Sequence, residues 1–132
     1  MTSPSPAARP PLVLIVDDNE KNRKLARDVL RAAEFRTIEA TTGGEAIALA
    51  AEHLPDLILM DMRLPDMDGT DAARRLGDAE RTAPIPVVAV SSLPVERGGD
   101  WFRAAGFAGC LEKPISVRAF PEQVRRYCAG VC

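Results

Sequence analysis

The sequence predicts an α/β domain, a five-stranded parallel sheet with helices packed on both faces. Two observations lead there. Short continuous apolar runs, LVLIV at Leu12–Val16, LILM at Leu57–Met60 and VVAV at Val87–Val90, are bounded by proline or by polar residues, mostly aspartate. Runs of that length without polar alternation suit strands covered on both faces. Between them, apolar residues recur at helical spacing, and a chain alternating strand with helix builds parallel βαβ units. Right-handed crossovers then place helices on both sides of the sheet.

The elements follow in order. After Leu12–Val16 comes a helix whose buried stripe is Leu25, Ala26, Val29, Leu30 and Ala33. Phe35–Glu39 is a weaker strand, placed nearer an edge. Ala46, Ile47, Ala50, Ala51 and Leu54 mark a second helix; His53 closes it, where an imidazole suits the negative end of the helix dipole. The third strand runs into Asp61, DMDG (Asp66–Gly69) reads as a turn, and a third helix begins near Thr70. A fourth helical segment, Pro94–Ala105, contains Gly98 and Gly99, which together weaken it by ~2 kcal/mol relative to alanines. Phe107–Leu111 is a second weak strand. Val117, Phe120, Val124 and Tyr127 define a last helix after Pro114. Pro121 lies one turn beyond a Ser116 cap, where it removes a hydrogen bond and clashes. That helix is therefore expected to begin irregularly and become regular only near Phe120.

A chain of 132 residues is one domain's worth, able to bury roughly two-thirds of its unfolded surface in one core. The domain is expected over residues 11–132, after a short disordered tail over residues 1–10, with no internal repeat and no linker to a second domain. Hydrophobic residues at 46% and charged residues at 27% are ordinary for a soluble domain. A net charge of −2 gives no reason to expect nucleic acid, which would favour a basic face. No apolar run approaches the ~20 residues that span a bilayer, and MTSPSPAARPP lacks a signal peptide's apolar centre. A cytoplasmic location is expected. Three cysteines, Cys110, Cys128 and Cys132, are an odd number away from the acidic residues, which argues against a disulfide scaffold or a zinc site. With His53 the sole histidine, a serine–histidine triad is hard to build.

The chemistry concentrates at the strand ends. Asp17 and Asp18 directly follow the first strand, Asp61 ends the third, Ser91 the fourth, and Lys113 follows the fifth. Ligands of open parallel sheets bind at the carboxyl ends of the strands, so separate segments deliver three carboxylates, a hydroxyl and an ammonium to one edge. Clustered carboxylates repel one another unless a cation intervenes. All-oxygen ligation suits Mg²⁺ or Mn²⁺ better than zinc. A carboxylate is a competent nucleophile toward phosphorus, and Ser91 and Lys113 suit oxygens that gain charge. Lys113 stands out because the chain holds three lysines, the others being Lys21 and Lys24, among 17 basic residues. The stretch LMDMRLPDMDGT offers a rival: DMDGT, from Asp66 to Thr70, matches the D-x-D-G-T signature of a phosphohydrolase. That chemistry needs its first aspartate at a buried strand end, whereas the apolar strand stops at Asp61 and Pro65 breaks any continuation.

In order and spacing, VLIVDDNEKN, LILMDMRLPDMDG, VVAVSS and LEKPIS resemble the receiver domain of bacterial response regulators, from about Leu12 to Tyr127. Among receivers the chain looks most like the single-domain DivK type, which shares VVAV before the hydroxyl residue and KPIS after the edge strand. The resemblance implies a flavodoxin/CheY-like (βα)5 fold with strand order 2-1-3-4-5. It further implies Asp61 as phosphoacceptor, Asp18 as direct metal ligand, Asp17 as its neighbour acting through water, and the backbone carbonyl of Arg63 as the remaining protein ligand. Ser91 would be the switch hydroxyl and Lys113 its partner. A cis bond before Pro114 would hold Lys113 in place. Phosphoryl transfer would come from the phosphohistidine of a histidine kinase or phosphotransfer protein, with Mg²⁺ required, and hydrolysis would reset the chain. It would thus be a signalling protein assisting its own phosphorylation and dephosphorylation, rather than an enzyme.

One position departs from the pattern: Cys110 stands where receivers commonly carry Tyr or Phe, and Phe107, three residues earlier, lies on the wrong side of the strand start to substitute for it. The signal is then expected to spread through the Ser91 loop and the soft Pro94–Ala105 segment. Output is expected through protein contact, with Trp101 on the surface formed by the fourth helix, fifth strand and fifth helix by resemblance, and Arg74, Arg75 and Arg81 as solvated charges. A phosphorylation-independent interaction module is the alternative.

Overall fold

In a computed structural model that describes residues 10–91, 101–113 and 115–129, the elements run β1 (Leu12–Val16), α1 (Glu20–Ala32), β2 (Arg36–Ala40), α2 (Gly43–His53), β3 (Leu57–Asp61), α3 (Gly69–Asp78), β4 (Val87–Ser91), α4 (Trp101–Ala104), β5 (Gly109–Glu112) and α5 (Phe120–Cys128). The strands pair in parallel in the order β2-β1-β3-β4-β5, as the resemblance implied. Strand direction and period two then sort the core. Val13, Ile15, Leu57, Leu59, Val88 and Val90 point to one face with Ala26 and Leu30 of α1 and Phe120 and Val124 of α5. Leu14, Val16, Ile58, Met60, Val87 and Ala89 point to the other with the small residues of α2 and α3. The three central strands are buried almost without exception, which is why they read as unbroken apolar runs.

The edge strands begin later than the sequence predicted, β2 by one residue and β5 by two. In each case an aromatic residue, Phe35 or Phe107, is buried just ahead of the strand. Phe35 belongs to the end of α1. Glu34 turns into the left-handed region at φ 72°, its N–H donates to the Arg31 carbonyl at 3.0 Å, and the Phe35 N–H donates to Leu30 at 2.9 Å. That is a Schellman closure, and its apolar residue packs back on the helix. Phe107 packs on the α2–α3 side of the core, and pairing with β4 starts only at Ala108, whose N–H donates to Val87 at 2.7 Å.

Three stripe residues are not core. Leu25 lies on the exposed side of α1, Leu54 caps α2 in the left-handed conformation, and Val117 lies in a turn; all three are exposed. The last helix does begin late. The Ala119 N–H meets Ser116 Oγ at 3.2 Å and the Phe120 N–H meets the Ser116 carbonyl at 2.8 Å, so Pro121 falls in the first turn, where a missing donor costs little. The tail residues 1–9, the 94–100 part of the soft segment, the Trp101 side chain, the Pro114 peptide bond and Cys132 lie outside the described residues. What is described of the fourth helix is a four-residue turn.

Candidate functional site

The carboxyl ends of β1 and β3 lie side by side because the two strands pair directly, Val16 opposite Met60. The residues that follow, Asp17 and Asp61, are thereby neighbours, and Asp18 joins them. One carboxylate oxygen from each of the three lies within 4.8 Å of the others. Asp17 and Asp61 are buried and Asp18 is exposed. The fourth member comes from β4, the neighbour of β3 on the side away from β1. Ser91 closes β4 one residue past Val90, the partner of Asp61, and is itself buried. Its carbonyl accepts the Lys113 N–H at 2.8 Å, which sets Lys113 at the mouth. The ammonium stands 3.2 Å from Asp61 Oδ1 and 3.3 Å from Asp17 Oδ2. Arg63, two residues past Asp61, is exposed and turns its N–H toward Asp61 Oδ1 at 3.4 Å. All the predicted site residues therefore meet at one edge.

Burial raises the Asp61 carboxyl above its ordinary range, and the nearby Asp17 charge adds to that; Lys113 and the Arg63 N–H pull the other way. Among the described residues three carboxylates face one ammonium, and the atoms the carboxylates offer a metal are all oxygens. That donor set fits a hard divalent ion.

The acidic loop is tied down by contacts the sequence reading missed. The Asp17 N–H donates to Ala40 at 3.1 Å, Asp17 Oδ1 accepts the Asn19 N–H at 2.8 Å, and the Asp17 carbonyl accepts from Arg23 Nη1 at 3.0 Å. Arg23 is in turn paired with Glu39 on β2 at 3.2 Å. A signal was present: Thr37 and Glu39 are polar on the β2 face that meets α1, and arginines 23, 27 and 31 recur at i, i+4, which aligns them on one helix face.

Asp66, the rival nucleophile, is spent elsewhere. Its two carboxylate oxygens accept the N–H groups of Gly43 at 2.8 Å and Gly44 at 2.9 Å, while Thr42 Oγ1 accepts the Glu45 N–H at 3.0 Å. A carboxylate from the loop after β3 thus fills the first turn of α2. A Cβ at Gly43 would lie 2.5 Å from Met67 Cγ, so any larger residue there would displace the Met67 side chain. The amides of Gly44 and then Gly43 hold the Asp66 carboxyl below its usual range. A depressed acid stabilises the fold above its unfolded pKa and loses that contribution as pH falls through the folded value. Asp66→Asn is therefore expected to lower the melting temperature at neutral pH and to narrow its gap to the parent as acid is added, measured by thermal melts from neutral to acidic pH.

Cys110 sits half-buried in β5 against the α2–α3 side of the core, and burial, with Glu112 second, pushes its thiol up. Among the described residues no helix is long and apolar enough to cross a membrane.

Comparison with known proteins agrees with this geometry. The family model for the response regulator receiver domain matches residues 13–125. The polar-differentiation response regulator DivK of Brucella ovis is 43% identical over 115 residues, covering 87% of this chain and 94% of its own. The receiver domain of a sensor histidine kinase from Pseudomonas aeruginosa, solved with a magnesium ion coordinated in its active-site cleft, superposes with a TM-score of 0.81 at 28% identity, covering 91% of this chain and 98% of that one. The chemotaxis response regulator CheY4 of Vibrio cholerae shares the fold, with a TM-score of 0.82 at 24% identity over 89% of this chain and 98% of that one.

Proposed function

The chain belongs to the response regulator receiver family, and from that membership we propose that it accepts a phosphoryl group on Asp61 from a protein phosphohistidine, in a Mg²⁺-dependent step, and passes the signal on by protein contact. The observation that carries this reading is the meeting of Asp17, Asp18 and Asp61 within 4.8 Å with the Lys113 ammonium 3.2 Å from Asp61.

Asp18 and Asp61, with the Arg63 carbonyl, would hold the ion directly, and Asp17 through water. When bound, Mg²⁺, or Mn²⁺ in its place, supplies positive charge against which phosphoryl oxygens settle. Among the described contacts both donors to Asp61, Lys113 Nζ and the Arg63 N–H, fall on Oδ1, so the attack is assigned to Oδ2. The new bond forms from that oxygen to phosphorus, the P–N bond to the donor imidazole breaks, and its electron pair returns to the ring nitrogen. Lys113 and the Ser91 hydroxyl then donate to phosphoryl oxygens, which gain charge as the bond order shifts. Attack by water on phosphorus later releases phosphate and restores the carboxylate.

A histidine kinase or phosphotransfer protein is the donor in this reading, and a downstream protein the receiver of the signal. The extent of DivK matched, 94% of its length, supports a DivK-like mode of output. The test is intact-mass measurement after incubation with acetyl phosphate. A gain of one phosphoryl group with Mg²⁺, lost on chelation, is expected; no gain would turn the assignment toward a phosphorylation-independent interaction module.

A further inference from the structure

Three arginines one turn apart on α1 reach across to β2. Arg31 Nε donates to Thr37 Oγ1 at 2.9 Å, Arg27 Nη1 to Glu39 Oε2 at 3.2 Å, and Arg23 Nε to Glu39 Oε1 at 3.2 Å. Of the three, Arg23 continues to the acidic edge, where its Nη1 holds the Asp17 carbonyl at 3.0 Å. That carbonyl belongs to the peptide joining Asp17 to Asp18. It precedes Asn19, the N-cap of α1, and so lies outside the helix's own hydrogen-bond ladder. The Asp17 N–H and one carboxylate oxygen are already tied, to Ala40 and to the Asn19 N–H. The Arg23 contact fixes what those two leave free, the plane of the Asp17–Asp18 peptide, and with it the direction in which the exposed Asp18 carboxylate leaves the backbone.

We propose that Arg23, anchored by Glu39, is a positioning residue for divalent-ion binding, orienting Asp18 through the carbonyl of Asp17. The inference rests on the receiver reading of the centre. A guanidinium suits the task because one rigid fork must donate to two acceptors in two directions, which a single ammonium on a flexible stem does poorly. Glu39 has a second effect. It balances a positive charge that would otherwise stand beside a cation site.

The test is calorimetric titration of Mg²⁺ into the full chain, with a melting temperature for each variant. Arg23→Met is expected to weaken Mg²⁺ affinity about tenfold, the lower end of what losing an outer partner of a metal ligand costs. Arg23→Lys, which keeps the charge but not the fork, and Glu39→Gln, which releases the anchor, are expected to weaken it as well. Arg31→Met removes a helix–strand contact of the same kind away from the centre, so it is expected to lower the melting temperature while leaving the affinity unchanged. Should Arg23→Met fail to fold, Arg23→Lys and Glu39→Gln carry the comparison. Parent-like affinity in those two would overturn the positioning role and leave the receiver reading standing. A parent chain that binds no Mg²⁺ would overturn both.

Discussion

Asp61→Asn is expected to abolish phosphoryl uptake, whereas Asp66→Asn is expected to leave it close to that of the parent, as read by intact mass with acetyl phosphate and Mg²⁺. The two aspartates are five residues apart in the sequence, one at the end of β3 and one in the loop after it, and they are placed differently. Asp61 ends a buried strand and lies beside Asp17, Asp18 and Lys113; an amide there keeps the shape but removes the carboxylate proposed to attack phosphorus. Asp66 has both oxygens engaged by the amides of α2. Stability separates the outcomes further. The folded state raises the Asp61 carboxyl through burial first and the Asp17 charge second, so ionising it costs stability at neutral pH. Without divalent ion, Asp61→Asn is therefore expected to melt no lower than the parent, and lost uptake cannot be ascribed to unfolding. Uptake retained by Asp61→Asn and lost by Asp66→Asn would restore the phosphohydrolase reading of DMDGT.

Gly69→Ala is expected to destabilise the chain by about 1–3 kcal/mol, the cost of overpacking a rigid site, and to slow phosphoryl uptake. A Cβ there would stand 2.5 Å from the Asp61 carbonyl oxygen and 3.0 Å from Met62 Cα. Both are backbone atoms, so relief comes only by shifting the end of β3 that carries Asp61. The start of α3 is also pinned to that strand end, the Gly69 N–H donating to Met62 at 2.9 Å. Helix propensity alone would favour alanine by ~1 kcal/mol, and the clash outweighs it. Gly77, eight residues on in the same helix, has nothing within 4 Å of an added Cβ. Gly77→Ala is expected to stabilise by about 0.4–1 kcal/mol. Urea midpoints of the two variants that move in opposite directions would bear this out; a stabilised Gly69→Ala would refute it.

The central strands and the charged edge were legible because one physical rule governs each. A strand covered on both faces must be apolar throughout, as Leu57–Met60 is, and the first polar residue after it marks the functional edge. The edge strands were less legible because Phe35 and Phe107 carry a strand-like signal while serving as plugs ahead of β2 and β5. Leu54 and Val117 show a similar limit: helical spacing runs on into the cap that ends α2 and starts already in the turn ahead of α5, where nothing is buried. Asp66 and Arg23 were missed for another reason. The amides that hold Asp66 lie 22 or 23 residues away along the chain and the carboxylate that holds Arg23 lies 16 away; the spacing of arginines 23, 27 and 31 shows that they share a helix face, but periodicity within one element does not name the partner on another.

The carboxylate seated on α2 also bears on selectivity. A helix beginning with two bare glycines would ordinarily attract inorganic phosphate or a stray phosphomonoester to its positive pole. Here an internal anion, the Asp66 carboxylate, already occupies that berth, which leaves competing oxyanions less to bind there.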